Sequence, residues 1–193
     1  MSESNKYSRG KVKGGAFERE VATKLSLWFS EGEREDIFYR SHSSGARFTS
    51  RKKSDKDTAY QSGDITCSDP IGEPLINKWS VECKTGYGKW DVLDYIEGKV
   101  KRFRLSEFWE QACKDAERKE PILIFRRKGK GVCVCIRTEF YMRLLSYFLP
   151  DNPLHIIHIS SEGVNKLTLM NLEDFLGMIP AKKYISLINQ KRL

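Results

Sequence analysis

The stretch "GDITCSDPIGEPLINKWSVECKTG", residues 63–86, decides how this chain is read. It holds Gly63-Asp64 before a β-prone run, a segment rich in turn formers, and then "KWSVECKTG". Strand side chains alternate faces with a period of two, so Glu82 and Lys84 share one face and Val81 and Cys83 the other. A carboxylate and an ammonium on one face of a strand are costly unless something binds there. Asp64 stands about one hairpin upstream, and two strands joined by so short a link predict an antiparallel hairpin.

Working outward, "GGAFEREVATKLSLWFSEG" carries Phe17, Val21, Leu25, Trp28 and Phe29 at helical spacing, with Gly32 as its stop. "DIFYRSH" is a short β-prone run. Residues 43–62 are polar, basic and aperiodic, and read as a loop. "PIGEPLIN" reads as a turn region. "LSEFWEQACKDAERKE" is a helix with Ser106 as its candidate N-cap, ending before Pro121. "PILIFRRKG" and "KGVCVCI" are strands around a Lys-Gly turn, and "RTEFYMRLLSYFL" is an amphipathic helix. "LHIIHIS" and "KLTLMNL" form a hairpin, followed by short helices in "LEDFLGMI" and "KKYISLINQ". This order predicts an α/β or α+β fold around a mixed sheet flanked by helices. One domain over 14–193 follows a basic arm at 1–13, with a strand-helix extension over about 138–193.

At 39% hydrophobic and 31% charged, 193 residues can bury a core and are not globally disordered. No apolar run is long enough for a membrane helix, and "MSESNKYSRGKVKGG" lacks the apolar region of a signal peptide. The five cysteines form no CxxC pair; Cys133 and Cys135 alternate with valines and read as small core residues of a reducing cytosol. The chain is expected in the cytosol or at the nucleoid, with no membrane partner. His155 and His158 alternate with isoleucines and read as strand residues, and Trp79 reads as core.

The net charge is +8, which points to an anionic partner, nucleic acid first. Three basic runs bracket the acidic motif: Lys6, Arg9, Lys11 and Lys13; Arg47, Arg51, Lys52, Lys53 and Lys56; and Lys99, Lys101, Arg102 and Arg104. Basic composition does not separate DNA from RNA.

Phosphodiester cleavage needs a cation to take up phosphate charge, an activated water, and stabilisation of the developing oxygens. A hard cation such as Mg²⁺ or Mn²⁺ takes oxygen ligands. Asp64 and Glu82 can supply two, and the Cys83 carbonyl a third. Lys84 can orient or deprotonate water, or offset phosphate charge. Two close carboxylates without a cation or a lysine would repel, and one would protonate.

Asp, a spacer and Glu-x-Lys resemble the PD-(D/E)XK nuclease superfamily. Within it, the closest likeness is to archaeal-type Holliday junction resolvases, on Lys13-Gly14, Glu18-Arg19, Arg40, Ser44-Gly45, Asp64 and Glu82-Cys83-Lys84. The likeness covers roughly residues 11–136, with "KLTLMNLEDFL" as a closing strand and helix. It implies a restriction-endonuclease-like core, Mg²⁺ or Mn²⁺, hydrolysis leaving a 5′-phosphate, and a homodimer acting on branched DNA. It assigns Glu18 to the metal through water and Ser44 to the scissile phosphate. Periodicity leaves Glu18 and Glu20 open, since one neighbours Phe17 and the other Val21. The basic runs are expected to hold DNA phosphates, through Lys11, Lys13, Arg47, Arg51, Lys52 and Lys53; Arg40 pairs with phosphate or with a carboxylate, and the superfamily likeness implies that Gln111 touches the site. Gly63 stands where many members have proline; the basic loop before it is long, and 138–160 reads as an insertion. Restriction or repair nucleases of the same fold, and a non-catalytic DNA-binding module, are the rival readings. Asp64, Glu82 and Lys84 argue against the last, because a binder gains nothing from carboxylates facing phosphate. A chain this compact suits a phage or mobile element.

Overall fold

The computed structural model describes residues 3–41, 62–86, 97, 99, 104–161 and 164–193. The first helix, α1 (Glu3–Phe29), buries Phe17, Val21 and Leu25, as their spacing predicts. It begins at Glu3, so the stretch expected as an arm over 1–13 is continuous with the helix from that residue on. At its other end the Gly32 amide donates to Leu27 O at 2.7 Å and the Glu31 amide to Trp28 O at 3.3 Å. That paired closure puts two successive residues at positive φ, Glu31 at +58° and Gly32, the glycine expected to stop the helix, at +93°.

Strand β1 (Phe38–Arg40) pairs antiparallel with β2 (Ile65–Cys67) as a two-stranded sheet. The buried Ser26 hydroxyl accepts from the Phe38 amide at 2.9 Å and fixes β1 to α1. A 3₁₀ turn (Pro70–Gly72) and the short helix α2 (Glu73–Ile76) follow, with prolines at the first positions of both. Strand β3 (Trp79–Thr85) comes next. The hairpin expected between β2 and β3 does not form. β2 is laddered to β1, and β3 is laddered in parallel to β4 (Glu120–Arg126), with Glu82 beside Leu123. A parallel neighbour needs a crossover, and α3 (Arg104–Ala116) supplies it. This helix starts at Arg104, so Ser106 lies in its first turn and is not the N-cap.

The chain then runs through β5 (Val132–Arg137), α4 (Thr138–Leu145), β6 (Ile157–Ser161), β7 (Val164–Asn171), α5 (Leu172–Met178) and α6 (Ala181–Asn189). The five-stranded sheet has the order β3-β4-β5-β7-β6, antiparallel except for β3 with β4. It is the mixed sheet flanked by helices that the sequence predicts.

Period-two alternation divides the core. Trp79, Val81, Cys83, Ile122 and Ile124 pack in one cluster with residues of α1, α4, α5 and α6. Leu123, Phe125 and Cys135 meet Leu105, Phe108, Trp109 and Ala112 of α3 on the other face. Trp79 is core, as expected: it stacks on Trp28 at 5.8 Å and donates from Nε1 to Tyr184 Oη at 2.6 Å. The C-terminal segment therefore completes the packing behind the Glu-x-Lys strand. Among the described residues, no helix is long and apolar enough to cross a membrane.

Candidate active site

Gly63 makes the close approach on which the site depends. Its φ is +86°, and a Cβ there would lie 2.6 Å from Val81 O and 2.9 Å from Val81 N. Only glycine accepts both that backbone angle and that proximity. The Asp64 amide can then donate to Val81 O at 2.7 Å, and the Ser41 amide to Asp64 O at 2.7 Å. Asp64 Oδ2 accepts from the Cys83 amide at 2.9 Å. A strand residue directs its N–H and C=O to the same edge, so the Cys83 carbonyl lies on the edge that Asp64 occupies.

Glu82 and Lys84 leave β3 on the α3 side. Lys84 Nζ donates to Glu82 Oε1 at 2.6 Å and to Gln111 Oε1 at 2.9 Å, and lies 5.9 Å from the centroid of the Phe108 ring. Asp64 and Glu82 are both buried, at 6% and 5% exposure. Burial first, and then the charge of Asp64, pushes the Glu82 carboxyl up to about 7, against the opposing pull of Lys84. Burial and Asp64 also raise Glu18, against Arg40, Arg19 and Lys84. Three carboxyls thus share one field, the situation a bound cation relieves.

Arg40 Nε lies 3.0 Å from Glu18 Oε2, yet the two are misaligned, and both atoms are buried without a hydrogen bond. The distance gives Coulomb attraction; the angle denies a hydrogen bond. Gly15 makes room for this arrangement, because a Cβ there would collide with the Arg40 guanidinium. Glu20 points elsewhere: Arg126 Nη1 donates to its Oε1 at 2.8 Å.

No group of three His, Cys, Asp or Glu side chains with metal-holding geometry exists among the described residues. The donors do fit a hard cation: two buried carboxylates, a backbone carbonyl on their edge, and an orphaned Glu18 oxygen nearby. The Cys83 thiol does not contribute, since burial in the core holds it protonated.

The structure brings Glu18, Arg40, Asp64, Glu82, Cys83, Lys84 and Gln111 together. Gln111 is on the exposed side of α3 and reaches Lys84. Lys13 is exposed on α1. Ser44, Arg47, Arg51, Lys52 and Lys53 lie outside the described residues, as does the side chain of Lys11. His158 Nδ1 meets Thr168 Oγ1 at 3.0 Å, the strand residue expected. All five cysteines are free. Gly15 and the Arg126–Glu20 pair were not foreseen. Gly63, next to the motif aspartate, carries a signal in the sequence, as the residue standing where many superfamily members have proline.

No curated protein and no solved structure matches the chain. The model of a family described as "Phage putative PDDEXK endonuclease" matches residues 9–186. That match takes in most of α1, both motif carboxylates, the Glu-x-Lys strand, α5 and the first part of α6, and the chain therefore belongs to this PD-(D/E)XK endonuclease family.

Proposed function

We propose that the protein is a divalent-cation-dependent DNA endonuclease, and that branched DNA is its substrate. The observation that carries the reading is the Asp64–Glu82–Lys84 arrangement: two buried carboxylates in one field, with an ammonium 2.6 Å from one of them. Asp64, Glu82 and the Cys83 carbonyl would hold Mg²⁺ or Mn²⁺, with Glu18 supporting it through water. When bound, the cation supplies Lewis-acid stabilisation of the phosphate oxygens and lowers the pKa of bound water. Lys84, aimed by Glu82 and Gln111, orients the attacking water and takes or offsets charge as the phosphoryl oxygens develop it. Arg40 holds Glu18 in place. The branched substrate, a homodimer and Ser44 at the phosphate rest on the likeness to archaeal-type resolvases; the basic positions 47 and 51–53 rest on the clustering of positive charge.

The test is cleavage of matched labelled substrates: a four-way junction, a splayed arm, linear duplex and single strand. Each is incubated with Mg²⁺, Mn²⁺ or EDTA, beside an Asp64→Asn variant. Paired symmetric nicks in the junction, absent with EDTA and in the variant, support a dimeric resolvase. Cleavage of the other substrates but not the junction keeps the nuclease and removes the resolvase. Binding without cleavage under either metal leaves a binding module.

A further inference from the structure

The turn between β4 and β5 is a basic cluster outside the three runs found in the sequence. It reads "RRKGK", Arg126 to Lys130. Lys128, Gly129 and Lys130 are exposed, and no ion pair holds Lys128 or Lys130 among the described residues. Gly129 has φ +70°, and the Lys130 amide donates to Arg127 O at 3.0 Å, which closes a tight turn at the tip.

The position of this turn gives it meaning. β3 and β4 run parallel, with Lys84 beside Phe125 and Thr85 beside Arg126. The tip therefore projects from the same end of the sheet as Glu82 and Lys84, one strand over. Lys128 lies three residues past Phe125, a reach of at most about 10 Å. That spans about three nucleotides of a DNA strand at roughly 3.4 Å of rise each. The root of the turn is tied down. Arg126 bonds Glu20 of α1 and lies 4.7 Å over the Phe17 ring, on the helix that carries Glu18. The cationic tip is thus anchored to α1 and stands at the same end of the sheet as the candidate site.

We infer that the β4–β5 turn is a phosphate-binding surface, with Lys128 and Lys130 gripping the DNA backbone flanking the scissile bond. The inference rests on the endonuclease reading above. Such contacts position the duplex and carry no sequence information.

The test compares native protein, Lys128→Glu/Lys130→Glu, the milder Lys128→Gln/Lys130→Gln, and a control, Lys166→Glu/Lys191→Glu. The control residues are exposed; Lys166 is on β7 at the opposite end of the sheet, and Lys191 lies two residues before Leu193, whose carbonyl accepts from Lys78 at the start of β3, and the net charge change equals that of the first pair. Kd for a linear duplex is measured by fluorescence anisotropy across a salt series, and KM for cleavage alongside. The turn variants should weaken binding on the order of tenfold and reduce the slope of log K against log salt by about 2. The control should bind as the native chain does. If the Gln pair keeps the native slope and KM, or the control weakens binding equally, the inference is overturned, and cleavage by the native chain still upholds the nuclease. If the slope falls but no cleavage occurs with Mg²⁺ or Mn²⁺, the surface stands and the nuclease reading fails. If the native chain neither binds nor cleaves DNA, both fail.

Discussion

The Cys83 amide donates to Asp64 Oδ2 at 2.9 Å, so the motif aspartate is held by the backbone of the very strand that carries the motif glutamate. Asp64→Asn keeps an oxygen for that bond and removes the charge. It should fold with a melting temperature near that of the native chain and lose cleavage by at least about a thousandfold, a loss comparable to that of a key electrostatic group. Differential scanning fluorimetry and a nuclease assay on one preparation check both halves.

Gly63→Ala should damage fold and site together. The added Cβ meets the Val81 backbone at 2.6 Å, and φ +86° disfavours alanine. A stability loss of about 1–3 kcal/mol is expected, with cleavage falling further because Asp64 is displaced. Chemical denaturation measures the first, and single-turnover cleavage the second.

Without added cation, the melting temperature should fall as pH rises from about 4.5 to about 7. The sign follows from Glu82, whose carboxyl is raised from 4.5 to about 7 by burial and Asp64. In that window the native state binds more protons than the unfolded chain, so stability drops as pH increases. The raised Glu18 acts in the same direction. Mg²⁺ or Mn²⁺ should raise the melting temperature more at pH 8 than at pH 5.5, since only ionised carboxylates bind it. Glu82→Gln should flatten both responses. A melting temperature that rises across the window in EDTA would contradict the burial argument.

Gln111→Ala removes a partner that, with Glu82, aims Lys84. A roughly tenfold loss in kcat is expected, in line with outer partners of a reactive group. The pH–rate profile should shift as well, which a purely structural effect would not produce. Lys84→Ala should cost far more.

Tyr184→Phe removes the acceptor of the Trp79 indole, in a core the solvent does not reach. Leaving that N–H unsatisfied should cost about 1–3 kcal/mol in urea denaturation. DNA affinity should not change, since Trp79 packs behind the sheet.

How far the sequence reaches is shown by particular residues. Alternation along 79–85 was legible because a strand has a fixed period, and it sorted Glu82 and Lys84 from Val81 and Cys83 correctly. The partner of that strand was not legible: adjacency in the chain suggested β2, while the crossover through α3 delivers β4. Pairing is decided by long-range packing, which local pattern does not encode. The choice between Glu18 and Glu20 failed at the level of periodicity for the same reason. Arg126, which engages Glu20, is 106 positions away. Gly63 was visible as a residue, but its necessity appears only once Val81 is beside it.

The outer edge of β3 brings an open hazard, since a terminal strand presents unpaired amides and carbonyls to any other chain. β2 does not ladder onto it; the Asp64 amide and carboxylate occupy Val81 O and the Cys83 N–H instead. The residue proposed to hold the cation is thereby also the cover that stops the sheet from growing. Asp64→Ala keeps the amide bond to Val81 O but bares the Cys83 N–H, leaving an edge able to recruit its own copies, so that aggregation and inactivity would arrive by the same substitution.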